Sequence, residues 1–135
     1  MGRTLAAVAF AALASFTIAC SEESLPAPPE DLLTSEEAVR AGEDLYRRNC
    51  SLCHGPSGHG DGPQARSLNP SPADLRNLTG PRADRGYWFF RVKEGGKEGP
   101  LARDRSAMPG FGEHLTDEQI WQLVAFLNAL VEKPK

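Results

Sequence analysis

The stretch Cys50-Ser51-Leu52-Cys53-His54 follows the pattern C-x-x-C-H, which is typical of the covalent attachment of a c-type haem. Two thiols three residues apart can each form a thioether with the same porphyrin edge. The imidazole that directly follows the second thiol is then held against the iron as an axial ligand. The pentapeptide therefore predicts one covalently bound haem c, and the rest of the chain should be built to enclose it.

A haem iron with histidine on one side needs a second ligand or an open position, and electron-transfer sites use methionine, which raises the reduction potential. Met108 is the only methionine besides Met1. It lies in the Ser-Ala-Met-Pro-Gly-Phe loop of residues 106–111, whereas a lone methionine that fills a core usually lies on an apolar helix face. We predict that His54 and Met108 are the axial ligands of the haem iron.

Two further histidines compete with Met108 for the second position. His59 follows His54 by only five residues, so it is poorly placed to reach the opposite face of a haem. His114 comes six residues after Met108, just before the last predicted helix, and could compete with it at alkaline pH. We expect both histidines to lie at the surface.

Two interpretations of Cys50 and Cys53 without haem fit the sequence less well. A zinc site would need two more ligands in a second cluster, and the chain has no second cysteine pair. A thioredoxin-like redox pair would need a βαβ context, for which the sequence has no pattern.

Residues 1–19 have the features of a secretory signal peptide. Arg3 supplies the positive flank, and residues 5–18 form an apolar run too short to span a bilayer comfortably. Residues 17–20 read Thr-Ile-Ala-Cys, which resembles a bacterial lipoprotein cleavage site, although the ordinary signal peptidase also tolerates Thr-Ile-Ala. We predict an exported protein, lipid-anchored through Cys20 on the periplasmic face of a bacterial membrane, with a soluble periplasmic protein as the alternative.

Residues 20–33 are expected to form an extended tether between this anchor and one domain of residues 34–135. Pro26, Pro28 and Pro29 stand among Ser, Ala and Glu, a composition that favours polyproline-like conformations and cannot form a core. The chain that remains is long enough for one small domain.

Helix signals dominate this domain, and no alternating strand pattern is present. Thr34-Ser-Glu-Glu fits a capping box with Thr34 as N-cap, so a first helix should run from there to about residues 50–53. A helix is predicted at residues 82–93, and a second capping box at residues 116–119 begins the last helix. Gly42 weakens the first helix by about 1 kcal/mol relative to alanine, which indicates that another helix crosses closely there.

Residues 55–63 form a Gly- and Pro-rich loop. The loop lacks the Lys-Ser/Thr of a phosphate-binding P-loop. Because glycine lets backbone approach closely, we expect this loop to wrap around a flat ligand.

Positive charge is concentrated between Arg76 and Arg105, where eight bases face four acids. Residues 21–37 hold six acids and no base, so the acidity of the whole chain belongs to its leader segment. The basic stretch is either an ordinary solvated surface or a patch that steers an acidic redox partner. Nucleic acid is not expected as a partner of an exported protein with this balance.

Residues 34–131 resemble a class I monohaem cytochrome c. The matching positions are Gly42, Tyr46, the C-x-x-C-H-G of residues 50–55, the Gly-His-Gly-Asp-Gly-Pro of residues 58–63, the Ser-Ala-Met-Pro of residues 106–109 and the segment 115–127. The resemblance implies an all-α cytochrome c fold of three to five helices around the haem. It also implies that Gly42 and Tyr46 cross the last helix at Trp121 or Phe126.

The resemblance implies the same haem anchors and axial ligands that the C-x-x-C-H motif and Met108 predict. Cys50 and Cys53 would form the thioethers, His54 would be the proximal ligand and Met108 the distal one. The surroundings of the haem would further include Pro63, the Asp74-Leu75 region and Trp88.

The function that the resemblance implies is one-electron transfer between membrane respiratory complexes, with redox proteins as partners and no enzymatic activity. One alternative is a haem-based sensor or ligand-binding module with a displaceable sixth ligand. Another is a fixed cytochrome subunit of an oxidase or reductase complex.

Overall fold

The computed structural model describes residues 26–96 and 106–132. These ranges contain the helices α1 (Glu30–Leu33), α2 (Glu36–Asn49), α3 (Ser51–His54), α4 (Arg85–Glu94) and α5 (Asp117–Glu132), with 3₁₀ turns at Ala65–Ser67 and Gly80–Ala83. No strand occurs in the described ranges, and the predicted all-α fold is confirmed. The predicted signal peptide (residues 1–19) and Cys20 lie outside the described residues.

The first long helix begins one residue later than the capping-box pattern predicts. Ser35 is the N-cap of α2, and its Oγ accepts a hydrogen bond from the N–H of Ala38 at 3.3 Å. Thr34 instead ends α1, where its hydroxyl donates to the carbonyl oxygen of Glu30 at 3.2 Å. The prediction of Thr34 as the N-cap is wrong because a preceding helix already uses this residue as its C-cap.

The last four residues of the predicted tether are helical. Pro29 is the N-cap of α1, so the prolines precede a helix and do not continue an extended segment through Leu33. α1 packs against α5, and Leu33 is only 4% exposed. Burial of a leucine side chain stabilises a fold by roughly 1.5–3 kcal/mol. The expectation of an extended tether is therefore wrong for Glu30–Leu33, which belongs to the packed domain.

The helices α2 and α5 approach each other closely at Gly42. A Cβ atom at this position would overlap the carbonyl oxygen of Gln122 and lie 2.9 Å from the Cβ of Phe126. One turn further along α2, the ring of Tyr46 packs against Phe126 with 5.1 Å between ring centroids. The expected crossing of the first and last helices is confirmed, with Phe126 as the residue that meets Gly42 and Tyr46.

The last helix supplies half of the buried apolar residues in the described ranges. Thr116 and Gln119 form the predicted capping box: the Gln119 N–H donates to the Thr116 hydroxyl at 3.2 Å, and the Thr116 N–H donates to the Gln119 side chain at 3.0 Å. The buried positions of α5 are Ile120, Trp121, Leu123, Val124, Ala125, Phe126, Leu127 and Leu130. Within the described ranges, no helix combines the length and the hydropathy that crossing a membrane requires.

The middle helix is shorter at its start than the predicted range of residues 82–93. Gly80–Ala83 forms a 3₁₀ turn, and the carboxylate of Asp84 then caps the first turn of α4. α4 packs on α5 through Phe89, whose ring stacks on Trp121 at 4.5 Å between centroids. Trp121 therefore faces α4 rather than the crossing with α2.

Tyr46 connects the helix crossing to the C-x-x-C-H motif. Its hydroxyl donates to the carbonyl oxygen of Gly55 at 2.6 Å, and the residue is 1% exposed. Burial raises the pKa of the Tyr46 phenol above its ordinary value, so the hydroxyl keeps the proton that it donates. Because Gly55 directly follows His54, this bond fixes the end of the motif to α2.

Gly42→Ala is expected to destabilise the protein, although the same change in an exposed helix gains about 1 kcal/mol from helix propensity. The added methyl group would overlap the Gln122 carbonyl, and overpacking of this kind costs about 1–3 kcal/mol in the free energy of unfolding. Denaturant unfolding of the haem-loaded protein measures the change. Arg40→Ala is the control, since the Arg40–Glu36 pair is exposed on the same helix and should matter by less than about 0.5 kcal/mol. A Gly42→Ala variant at least as stable as the wild type would contradict the close crossing.

Tyr46→Phe keeps the ring against Phe126 but removes the shorter of two hydrogen bonds to the carbonyl oxygen of Gly55, which then accepts only from the N–H of Gly58 at 3.3 Å. We expect the free energy of unfolding to fall by about 0.5–1.5 kcal/mol, the net contribution of one hydrogen bond. Tyr46→Leu should cost more because the ring contact is lost as well. Equal midpoints for the wild type and Tyr46→Phe in a denaturant titration would show that the bond makes no net contribution.

Candidate haem site

The C-x-x-C-H motif spans the end of α2 and the whole of α3. Cys50 is the C-cap of α2, and its N–H donates to the carbonyl oxygen of Tyr46 at 2.8 Å. The N–H of His54 in turn donates to the carbonyl oxygen of Cys50 at 2.9 Å, so the motif forms one helical turn. Both cysteines are free thiols, and this turn places them on the wall of the same cavity.

The Cys50 thiol lacks the lowered pKa of a redox-active cysteine. Burial, together with the neighbouring Cys53, raises the pKa of the Cys50 thiol to about 12, whereas reactive redox cysteines have a lowered pKa. Within residues 26–96 and 106–132, no group of three or more His, Cys, Asp or Glu side chains is arranged to hold a metal ion. The cysteines are therefore placed to bind a group in the cavity rather than to exchange disulfides.

The cavity has a volume of about 800 Å³ and is lined mainly by apolar side chains. This volume lies within the range of sites for cofactors and other small molecules. The apolar lining comes from α4, from α5 and from the irregular segments before each of them, and includes Leu68, Pro70, Pro72, Leu75, Leu78, Trp88, Val92, Phe111, Leu123 and Leu127. A large flat apolar group would replace water here at little cost in polar desolvation.

His54 also lines the cavity, and one of its ring nitrogens forms a hydrogen bond with the backbone. Nδ1 lies 3.1 Å from the carbonyl oxygen of Ala73. Because a carbonyl oxygen can only accept, Nδ1 carries the proton and Nε2 keeps its lone pair, the tautomer that an Nε2 metal ligand requires. Burial lowers the pKa of the imidazole, and the bond to Ala73 opposes this shift only in part, which favours the neutral form.

The carbonyl of Ala73 is held in place by the turn that follows it. The Asp74 carboxylate accepts from the N–H of Arg76 at 2.9 Å and from the side chain of Asn77 at 2.8 Å. Chiefly through the Arg76 N–H bond, the pKa of Asp74 is lowered, so the carboxylate stays ionised as an acceptor. His59 lies against the same carboxylate at 3.6 Å. This turn therefore supports the residue that orients His54.

The glycine-rich loop of residues 55–63 packs on the motif itself. The N–H of Gly60 donates to the carbonyl oxygen of His54 at 2.8 Å, and the N–H of Gly62 donates to that of Cys53 at 3.1 Å. A Cβ at Gly62 would meet the Cys53 backbone at 2.7 Å. The expectation that the loop wraps around the ligand is wrong, since it does not contribute to the cavity wall and instead encloses the backbone that carries the ligating side chains.

Met108 lines the same cavity from the segment that precedes α5. It is partly buried against the apolar core, as is Phe111. His59 and His114 are both exposed, as expected, and neither contributes to the cavity wall. Of the histidines and methionines in the described residues, only His54 and Met108 reach this cavity.

The surroundings of the cavity agree with the sequence-based expectation in part. Leu75 and Trp88 line the wall, as expected. Pro63 does not: it is exposed and lies on a separate cleft, because the glycine-rich loop turns away from the cavity at this point. The expectation for Pro63 is therefore wrong.

The sequence patterns did not predict several polar residues of the cavity wall, among them Arg48, Gln64 and Tyr87. Tyr87 and Arg91 form one unit, in which the guanidinium donates to the tyrosine hydroxyl at 2.9 Å and lies 5.4 Å from the ring centroid. Their spacing of four residues on a predicted helix was the available signal. The wall thus carries cationic groups as well as apolar ones.

The basic stretch between Arg76 and Arg105 does not form one surface in the described residues. Arg82 and Arg91 line the cavity, whereas Lys93 bonds Asp117 of α5 at 2.7 Å. Arg85 bonds Asn128 at 2.9 Å. Arg76 is partly buried, and the remaining members, Lys97, Arg103 and Arg105, lie outside the described residues.

The residues of this cavity fit a covalently bound haem. Its wall offers two neighbouring thiols for thioethers, a neutral imidazole with a fixed tautomer, a thioether sulfur and a large apolar surface. These are the anchors and ligands that haem sites of the His/Met type use.

Comparison with known proteins gives the family. The family model described as "Cytochrome C oxidase, cbb3-type, subunit III" matches residues 37–127. A nicotinate dehydrogenase subunit of Pseudomonas putida is 30% identical over 106 residues, which are 78% of this chain but only 8% of that protein.

Two solved structures share the fold. Cytochrome CL from Methylophaga aminisulfidivorans aligns with a TM-score of 0.53 and 27% identity over 72% of this chain and 55% of that chain. The reducing HAO-like protein complex of Kuenenia stuttgartiensis aligns with a TM-score of 0.59 and 24% identity over 82% of this chain and 48% of that chain. The chain thus spans about half the length of each.

The family match covers most of the chain, and the prediction of a monohaem cytochrome c is confirmed. The predicted cofactor, one covalently bound haem c, is confirmed with it. This chain belongs to the family of cbb3-type cytochrome c oxidase subunit III and is a cytochrome c, built for haem-based electron transfer.

Proposed function

We propose that this cytochrome c is a one-electron carrier whose haem is attached through Cys50 and Cys53 and ligated by His54 and Met108. The observation that carries the proposal is a single cavity of about 800 Å³ with both thiols, the imidazole and the thioether on its wall. Haem c bound there supplies an iron centre that gains and loses one electron.

The two axial residues suit electron transfer rather than bond chemistry. The hydrogen bond from His54 to Ala73 fixes the ring and makes Nε2 a better donor. The sulfur of Met108 is a neutral, soft ligand that serves both oxidation states and raises the potential. The apolar wall excludes water, so each change of oxidation state requires little reorganisation of the surroundings. We therefore propose that the chain catalyses no bond chemistry of its own.

Electron exchange with a partner is proposed to take place where the cavity meets the surface at Leu52. This side chain lines the cavity and is 50% exposed, which is unusual for a leucine of this fold. Arg82 lines the cavity and is exposed as well. An acidic redox protein would dock on this side, attracted by the exposed Arg82.

The proposed position of the protein in the cell rests on the sequence of residues 1–20. We propose cleavage of the signal peptide of residues 1–19 and lipidation of Cys20, which places the domain on the periplasmic face of a bacterial membrane. Such a domain would pass electrons between membrane respiratory complexes. A soluble periplasmic carrier is the form that results if Cys20 is not lipidated.

A fixed subunit of an oxidase or dehydrogenase complex is the second candidate. The specific observation in its favour is that the family is described as an oxidase subunit and that one relative is named as a dehydrogenase subunit. Such a subunit would co-purify with a membrane complex at high salt, where a carrier held by surface charges dissociates.

Met108→Ala is expected to remove the sulfur-to-iron absorption band of the oxidised protein and to lower the reduction potential, because the ligand that favours the reduced state is lost. Visible spectra and redox titration measure both. Met→Ala at this partly buried position also removes apolar contacts, so Met108→Leu serves as the volume-matched variant and should lose the band equally. A wild-type protein without the band, or one that binds carbon monoxide promptly when reduced, would favour the sensor alternative instead.

Cys20→Ser is expected to release the protein from the membrane fraction, since a single acylated anchor residue carries the proposed attachment. Fractionation of cells that express the haem-loaded variant measures the release. Cys20→Ser should leave the visible spectrum unchanged. Continued membrane association at high salt would show that a partner complex or an uncleaved signal holds the domain.

A further inference from the structure

The loop that carries Met108 is bound to the C-terminal end of α4. A helix leaves its last four carbonyl oxygens without partners inside the helix. In this protein the loop supplies donors for two of them: the N–H of Phe111 donates to Val92 at 2.9 Å, and that of Gly112 donates to Lys93 at 3.0 Å. The end of α4 therefore serves as the platform on which the loop rests.

Met108 is held at both of its backbone polar groups. Its carbonyl oxygen accepts from the N–H of Gly96 at 2.9 Å, and its N–H donates to the hydroxyl of Ser106 at 3.2 Å. These bonds fix the backbone from which the side chain enters the cavity. The position of the sulfur thus depends on how closely the loop approaches the two glycines that follow α4.

At Gly95 the backbone of the loop approaches α4 closely. The φ of Gly95 is +78°, a conformation that residues with a side chain rarely adopt. A Cβ there would lie 2.5 Å from the nitrogen of Gly110, 2.7 Å from the carbonyl carbon of Pro109 and 2.8 Å from the carbonyl oxygen of Met108. All three atoms belong to the backbone, so no side-chain rotation can relieve the overlap. The loop itself would have to move away from α4.

We propose that Gly95 is a positioning residue for the distal haem ligand: the absence of a side chain there lets the Met108 loop seat on α4 and sets the sulfur at the haem. The inference rests on the proposed role of Met108 as a ligand. It adds that the strength of this ligation is controlled from a residue outside the cavity wall.

The test compares Gly95→Ala with the wild type as haem-loaded proteins. We expect Gly95→Ala to lose most of the sulfur-to-iron band at neutral pH. Added imidazole, which must displace Met108, should bind about tenfold tighter or more, a change that corresponds to ~1.4 kcal/mol of lost ligation. Haem content and circular dichroism verify that the variant is folded.

Gly80→Ala is the matched control. Gly80 has a φ of +59°, so alanine there carries a similar backbone cost, but no atom lies within 4 Å of its added Cβ. We expect Gly80→Ala to lower overall stability and to keep the band and the imidazole affinity of the wild type. An equal rise in imidazole affinity in both variants would overturn the proposal, since general destabilisation would then account for it.

A second variant decides the outcome if Gly95→Ala does not incorporate haem. The Cβ of Gly110→Ala would lie 2.9 Å from the carbonyl oxygens of Glu94 and Lys93, so it opens the same contact from the loop side. Weaker ligation of Met108 in this variant supports the proposal, and wild-type ligation overturns it.

One result would contradict this inference but not the proposed function. In that result the wild type has the band, Met108→Ala loses it, and both glycine variants keep it. A wild type without the band removes the proposed ligand and this inference together.

Discussion

The close crossing of α2 and α5 is the constraint on which the haem site depends. Because Gly42 has no side chain, the two backbones approach until Tyr46 meets Phe126. Tyr46 is then buried where its hydroxyl reaches Gly55, the residue that ends the C-x-x-C-H turn. The position of the attachment motif therefore depends on a helix that lies far away in sequence, and not on the motif alone.

Local patterns in the sequence predicted the features that depend on local physics. The end of the first helix near Cys50 and the Thr116–Gln119 capping box depend on residues a few positions apart, and both form as predicted. Thr34 failed as an N-cap because the capping pattern contains no information about the helix that precedes it. Capping rules describe one helix end at a time, and here two ends share adjacent residues.

Contacts between distant segments were predicted only in part: the crossing at Gly42 was expected, but the contacts that hold His54 were not. The carbonyl that holds His54 belongs to Ala73, 19 residues further on, in a stretch without regular structure. The glycine-rich loop was expected at the ligand, yet its N–H groups serve the backbone of Cys53 and His54. Glycine reveals that some atom comes close, but it does not reveal which one. Only the folded structure shows whether the atom close to a glycine belongs to a cofactor or to a neighbouring peptide group.

The side of the cavity that carries the thiols and His54 differs from the side that carries Met108 in the sequence separation of its backbone hydrogen bonds. The carbonyls of His54 and Cys53 are bonded by donors fewer than ten residues away, and Leu75 N–H bonds Gly58 O at 2.7 Å. Met108, by contrast, depends on the end of α4 and on a loop that comes later in the chain. Short loops cost little entropy to close, so the hydrogen bonds around the thiols can form locally, but their position in the domain still requires α5 to pack on α2. The placement of the attachment motif and the placement of Met108 therefore both depend on segments from the later half of the chain.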